Sequence, residues 1–168
     1  MTSALVLTHF NTAAVEDVTP TLLACCDVPR WAEAVIHARP YDDRSGLLEV
    51  ADAAARTFTD ADVDRALAAH PRIGERAAGH GREADWSRGE QAGVVRGEQT
   101  AEALAEANRY YEQRFGRVFL ICASGRSAEE ILTAARTRLA NDAVTESRVV
   151  ADELRQIALL RLRKVIDS

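Results

Sequence analysis

The spacing of apolar residues is helical along most of the chain. They recur at steps of three and four, which places them on one face of an α-helix. Proline, glycine and short polar groups separate the helical stretches. The predicted helices cover residues 12–26, 29–38, 43–56, 60–69, 87–113, 128–139 and 144–166. We therefore predict an all-α fold, a single compact domain over residues 1–168 with about seven to nine helices and one short extended segment.

The starts of four predicted helices carry residues that commonly cap helices. These candidates are Asn11 or Thr12, Asp27, Thr59 with Asp62, and Ser127 with Glu130. The last two pairs match the capping box, in which each side chain accepts a hydrogen bond from the other residue's backbone. Residues 1–10 are predicted to be a short tail.

Two stretches lack a helical period. Residues 71–85 hold three glycines, one proline and many charges, which predicts an irregular loop. Loops of this length in compact domains are often functional. Residues 117–123, RVFLICA, form a short apolar run between Gly116 and Gly125. This run predicts a buried extended segment or a single β-strand.

One arginine in the last predicted helix falls where an apolar residue belongs. Val150, Leu154 and Ile157 define an apolar stripe by steps of four and three, and the next step reaches Arg161. A buried arginine requires an anionic partner. That partner can be a bound anion or a core carboxylate, or the arginine head can reach solvent while its stem packs.

The long predicted helix 87–113 places polar residues on its inner side. Ser87, Glu90 and Gln91 share one side by steps of three and four. The same side is predicted to continue through Val94, Ala101, Ala105 and Asn108. Glu90 therefore faces inward, either toward a bound ligand or in a capping box with Ser87. The two roles are compatible, because a capped helix start also offers free N–H groups to an anion.

His70 extends an apolar face, since Val63, Leu67 and His70 are spaced by four and three. Pro71 then ends the predicted helix. A helix C-terminus favours the imidazolium form and burial opposes it, so the ring can titrate near neutral pH. Such a histidine suits proton transfer. The alternative is a structural histidine that caps the helix or packs in the core.

Composition narrows the partners. The net charge is −5, with 21 basic and 26 acidic residues and no basic cluster, so no nucleic-acid partner is expected. The sequence shows no signal peptide and no apolar run long enough for a membrane span. Cys25, Cys26 and Cys122 have no zinc-binding spacing, which favours reduced, mostly buried thiols in a cytoplasmic protein.

Two other function classes remain open from the residues alone. Glu98, Glu102 and Glu106 recur every four residues, which can indicate a magnesium-dependent all-α phosphohydrolase or simply a solvated helix face. A helical interaction module without chemistry is the second alternative. His9, His37 and His80 have no evident ligand partners in the sequence.

Five short motifs, taken in order, resemble the OHCU decarboxylase family, where OHCU is 2-oxo-4-hydroxy-4-carboxy-5-ureidoimidazoline. The motifs are HPRIGE at 70–75, SRGEQAG at 87–93, NRYYEQRFG at 108–116, FLICASGR at 119–126 and LRL at 160–162. Each is weak alone, but their order and spacing are specific. The sequence departs from the family pattern at Arg117 and Val118, where the family usually has Phe-Pro.

The resemblance implies cofactor-independent decarboxylation of OHCU to (S)-allantoin, the last step of urate breakdown, with no metal. It implies that His70, Glu90 and Arg161 are catalytic. The implied substrate-binding residues are Pro71, Ser87, Gln91, Phe119, Leu120, Ile121, Cys122 and Ala123. The resemblance also implies a homodimer and functional coupling to urate oxidase and hydroxyisourate hydrolase.

Overall fold

The structure is a computed structural model that describes residues 5–73, 82–92 and 98–167. Nine helices occupy most of these described residues, so the predicted all-α fold is confirmed. Within them, no helix is long and apolar enough to cross a bilayer. The chain forms two compact units, Met1–Ala68 with Leu154–Ser168, and Ala69–Glu153. The single domain over residues 1–168 stays a prediction.

The described residues of the first unit form five helices, the end of a sixth and one strand pair. Its elements are β1 (Leu5–Val6), α1 (Leu7–Thr12), α2 (Val15–Cys25), α3 (Pro29–His37), α4 (Arg44–Ala55), α5 (Asp60–Leu67), the end of α9 (Ala143–Val165) and β2 (Ile166–Asp167). Strands β1 and β2 pair in parallel. Trp31 is fully buried, and its indole N–H donates to the carbonyl of Ala51 at 3.0 Å, which joins α3 to α4.

The second unit contains α6 (Arg82–Glu90), α7 (Glu98–Phe115), α8 (Ala128–Arg138) and the first half of α9. Its core lies largely between α7, α8 and the segment that joins them. The core residues are Ile73, Leu104, Ala107, Tyr111, Phe119, Ile121, Ala123, Ala128, Ile131 and Ala135. The connecting segment 117–123 is buried and irregular without strand pairing, as one of the two sequence-based alternatives predicts.

Three predictions near the N-terminus are wrong. The described part of the predicted tail, residues 5–10, forms β1 and most of α1, because Phe10 is fully buried and needs an ordered backbone. Asn11 does not cap a helix, since its side chain pairs with the backbone of Tyr41 in both directions. Asp27 does not cap α3 either; its carboxylate accepts from Arg65.

The helix predicted over 87–113 is two helices. α6 ends at Glu90, and α7 begins at Glu98. The helical phase is therefore not carried from Ser87 to Asn108. Ala101 and Ala105 are exposed, contrary to prediction, while Leu104 is buried. Val94 and most of the predicted loop, 74–81, lie outside the described residues, and the rest of that loop from 82 onward is helical.

The capping boxes predicted at Thr59–Asp62 and Ser127–Glu130 form at the starts of α5 and α8. At α8 the hydroxyl of Ser127 accepts from the amide of Glu130 at 3.2 Å. We expect Ser127→Ala to lower the free energy of unfolding by about 1 kcal/mol, because it leaves that amide without its cap. Urea denaturation measures the loss. Ser127→Asp restores an acceptor and should recover most of the stability; equal losses in both variants would contradict the capping role.

Candidate active site

His70 lies beyond the end of α5. The helix ends at Leu67, and His70 follows in irregular backbone three residues later. The prediction that His70 sits on the helix face is therefore wrong, since the helix ends three residues before His70. Val63 and Leu67 are buried as predicted. His70 and Pro71 are half-buried, so both residues keep some contact with solvent.

The chain after His70 is held on α7. The side-chain amide of Asn108 donates to the carbonyl of Ile73 at 2.8 Å, in a buried position. Arg72 pairs with Glu112 one turn further along the same helix. Ile73 itself joins the core of the second unit. The first and third sequence motifs are thus in direct contact, and the backbone just after His70 is anchored.

α6 places Ser87 and Glu90 in buried positions. Both lie inside the helix, which begins at Arg82, so the alternative that they form an N-terminal capping box is wrong. Glu90 is only 8% exposed. Gln91 is half-buried in the turn that follows, where its backbone N–H donates to the backbone carbonyl of Ser87. The inward orientation predicted for Glu90 is confirmed.

Two glycines bound the segment between α7 and α8. Gly116 and Gly125 have φ values of 69° and 76°, in the left-handed region that favours glycine. Between them, Phe119, Leu120, Ile121 and Ala123 are buried and Cys122 is half-buried. Arg117 and Val118, which replace the family's Phe-Pro, are half-buried and do not prevent this burial.

Several backbone groups of this segment have protein partners. Arg138 donates to the carbonyl of Leu120 at 2.7 Å, and its guanidinium lies over the ring of Phe119 at 4.5 Å. The amide of Cys122 donates to a carboxylate oxygen of Glu153 at 2.8 Å. The carbonyl of Cys122 accepts from Nε of Arg126 at 3.1 Å. The Cys122 N–H is therefore already paired, while the carbonyls of Leu120 and Cys122 each keep a second lone pair that can accept a hydrogen bond.

Glu90 and the segment are linked electrostatically. Burial raises the pKa of the Cys122 thiol, and the negative charges of Glu153 and Glu90 raise it further. The charge of Arg126 and a hydrogen bond from the backbone of Ser124 act in the opposite direction. The negative charge of Glu90, in the second motif, thus disfavours the thiolate of Cys122, in the fourth, and the Cys122 thiol stays protonated at neutral pH.

Arg161 belongs to the first unit. It is 3% exposed, and Val150, Leu154 and Ile157 are buried as predicted, so the interrupted apolar stripe is confirmed. Its guanidinium lies near Cys26. Burial, joined by the neighbouring Cys25, raises the pKa of the Cys26 thiol, and the positive charge of Arg161 partly opposes this.

The carboxylates proposed for a metal site point elsewhere. Glu102 and Glu106 are exposed on α7, as a solvated face requires, and the side chain of Glu98 lies outside the described residues, as does His80. Among the described residues, no group of three histidine, cysteine or acidic side chains is placed to hold a metal ion. His9 and His37 are exposed.

The comparison with protein families decides the assignment. The model of the family described as OHCU decarboxylase matches residues 11–163. The chain belongs to the OHCU decarboxylase family. The predicted resemblance is therefore confirmed over almost the whole chain.

Relatives agree with this assignment. The chain is 32% identical to the OHCU decarboxylase of Amia calva, over 82% of this chain and 81% of that protein. It is 30% identical to the OHCU decarboxylase of Haloferax volcanii, over 83% of each. The uric acid degradation bifunctional protein of Arabidopsis thaliana is 30% identical over 86% of this chain, which spans only 46% of that longer protein.

Solved structures share the fold. An OHCU decarboxylase crystallised in the presence of (S)-allantoin superposes with a TM-score of 0.72 and 26% identity, covering 90% of this chain and 97% of that one. The fold of an (S)-allantoin synthase also matches, with a TM-score of 0.71 at 16% identity, over 98% of this chain and 55% of that one.

Proposed function

We propose that this protein decarboxylates OHCU to (S)-allantoin and CO2, the last step from urate to allantoin. The family match over residues 11–163 carries the proposal. A structural neighbour of 26% identity, crystallised in the presence of (S)-allantoin, supports the identity of the product. The buried polar residues of the matching motifs support a site for a small polar anion.

The proposed reaction needs no cofactor, because the substrate itself can delocalise the electron pair that decarboxylation leaves. The bond to the carboxylate breaks, CO2 leaves, and the bonding electron pair is delocalised into the adjacent C=N group. One carbon then accepts one proton on one face. The protein must orient the carboxylate, stabilise the developing negative charge and deliver that proton.

Three residues are proposed to divide these tasks. Arg161 carries a permanent positive charge in a buried position, which suits orienting and balancing an anionic substrate. His70, half-buried just after α5, serves as the general acid–base and gives the stereospecific proton. Glu90, buried on α6, holds His70 or a substrate N–H or hydroxyl group. Their convergence on one substrate is part of the proposal.

The remaining predicted contacts are to substrate polar groups. Ser87 and Gln91 flank Glu90 on and just after α6 and add hydrogen bonds, and Pro71 shapes the backbone beside His70. The segment Phe119, Leu120, Ile121, Cys122 and Ala123 is proposed to offer backbone groups to the ureido or ring amides, with the exception of the Cys122 N–H, which already donates to Glu153.

A direct assay tests the proposal. OHCU is made freshly from urate with urate oxidase and hydroxyisourate hydrolase, and allantoin is followed by circular dichroism. We expect rapid appearance of one enantiomer, at a rate unchanged by EDTA, because the chemistry proposed here uses protein groups alone. The matched control omits the protein and gives slow racemic decay. A rate that EDTA abolishes would contradict the cofactor-independent mechanism, and a rate equal to the control would favour one of the two alternatives, the phosphohydrolase or the interaction module.

Three wider predictions belong to the same proposal. Functional coupling to urate oxidase and hydroxyisourate hydrolase is supported by two relatives named as bifunctional uric acid degradation proteins, of which this chain spans 46% and 26%. A homodimer and a cytoplasmic location stay predictions from the sequence.

A further inference from the structure

Both backbone groups of Cys122, the N–H and the carbonyl, form hydrogen bonds with charged side chains. Its N–H donates to Oε2 of Glu153 on α9 at 2.8 Å. Its carbonyl accepts from Nε of Arg126 at 3.1 Å. Both contacts are part-buried, where a hydrogen bond to a charged group is stronger than in water. The orientation of this peptide therefore depends on two side chains outside the five residues predicted to bind substrate.

The rest of the segment constrains the same backbone. Arg138 holds the carbonyl of Leu120, two residues earlier, and the side chains of Phe119 and Ile121 pack in the core. Arg138 holds the segment from α8, whereas Glu153 accepts the Cys122 N–H from α9. A segment fixed in this way cannot turn its peptides without breaking a charge-assisted bond.

We propose that Glu153 is a positioning residue: it holds the Cys122 peptide so that the remaining backbone groups of residues 119–123 face the substrate. This proposal rests on the proposed function, because it assigns Glu153 a role through the substrate-binding segment. The acceptor oxygen performs the task. The negative charge of Glu153 matters less than this oxygen for holding the peptide. Substitutions that remove the oxygen and substitutions that remove only the charge should therefore have different effects.

The kinetic test compares Glu153→Ala with Glu153→Gln. Alanine removes the acceptor, so we expect KM for OHCU to rise by about tenfold with kcat changed by less than about threefold, as for a contact that serves substrate and transition state alike. Glutamine keeps an oxygen that can accept the Cys122 N–H, and KM should return to within about threefold of wild type. Glu106→Ala, an exposed carboxylate of the same unit, is the matched control and should change neither constant.

A second readout needs no activity. Glu153 and Glu90 raise the pKa of the Cys122 thiol beyond the effect of burial, while Arg126 lowers it. Glu153→Gln should therefore lower that pKa and speed alkylation of Cys122 at pH 8 by about threefold or more. The rate is read from the Cys122 peptide by mass spectrometry, which separates it from the buried Cys25 and Cys26. Hydrogen exchange of the Cys122 amide should accelerate in Glu153→Ala and stay slow in Glu153→Gln.

The outcomes are distinct. Unchanged KM in Glu153→Ala would overturn the proposal, as would equal losses of kcat in both variants, which would place the charge rather than the acceptor in the reaction. If both variants kept the wild-type alkylation rate of the Cys122 thiol and the wild-type exchange rate of its amide, the contact itself would be overturned. Wild-type protein without OHCU activity would overturn the proposed function, and the thiol and exchange measurements would still decide whether Glu153 holds Cys122.

Discussion

Replacing His70 with alanine is expected to lower the rate of allantoin formation from OHCU by about a hundredfold or more, because a positioned general acid–base typically contributes at least that much. The remaining allantoin should be racemic, since solvent then delivers the proton to either face. His70 is half-buried beyond the end of α5, so the substitution removes little packing, and the fold should survive.

The measurement is circular dichroism with freshly prepared OHCU, which reports rate and enantiomer together. His37→Ala is the matched control, because His37 is an exposed histidine on α3 and should keep full activity. Far-ultraviolet dichroism of the variant checks that its helices are intact. A His70→Ala protein that still forms one enantiomer at the wild-type rate would remove His70 from the mechanism.

The sequence predicts local features of this fold well, for a physical reason. A capping box is complete within four residues, and the boxes predicted at Thr59 and Ser127 form, whereas the alternative box at Ser87 does not. The stripe that ends at Arg161 needs only one helix to be detected, and its members are buried. Interactions within one turn of helix are visible in the sequence because the helix geometry fixes their spacing.

Non-local features could not be predicted in this way. The parallel pairing of Leu5 with Ile166 joins residues from opposite ends of the sequence, and no local pattern specifies it. The end of α6 at Glu90 shifts the phase of the following helix, so Ala105 is exposed where a continuous helix would bury it. His70 lies past the helix end, although its spacing from Leu67 is helical.

Two charged residues of the core were detectable but missed. A step of four back from Val150 reaches Glu146, just as a step of four forward from Ile157 reaches Arg161. Arg138 follows Ala135 by three residues on the buried face of α8. The spacing alone marks both as inward-facing. It does not show that they pair, because each lies on a different helix.

The pair is the centre of a buried polar cluster. Nε of Arg138 donates to a carboxylate oxygen of Glu146 at 2.8 Å, and the two side chains are 8% and 2% exposed. Glu146 also accepts from the hydroxyl of Tyr111 and from Asn141. Burial raises the pKa of the Tyr111 hydroxyl, and the hydrogen bond to Glu146 raises it further. Because Arg138 also holds the Leu120 carbonyl, the cluster supports the candidate site.

Removing both charges of this pair together should therefore cost less stability than the sum of removing each one alone. We expect Glu146→Gln or Arg138→Met alone to lower the free energy of unfolding by about 3–5 kcal/mol, since each leaves an uncompensated buried charge. The double variant should lose clearly less than the sum of the single losses, because no buried charge remains. Urea denaturation of the four proteins gives the coupling energy.

Asp27→Asn is the matched control: it breaks an ion pair with Arg65 whose side chains are 35% and 57% exposed, and should cost no more than about 1 kcal/mol. Additive losses at Arg138 and Glu146 would show that the two side chains act independently, and would contradict the central place of their pairing in this core.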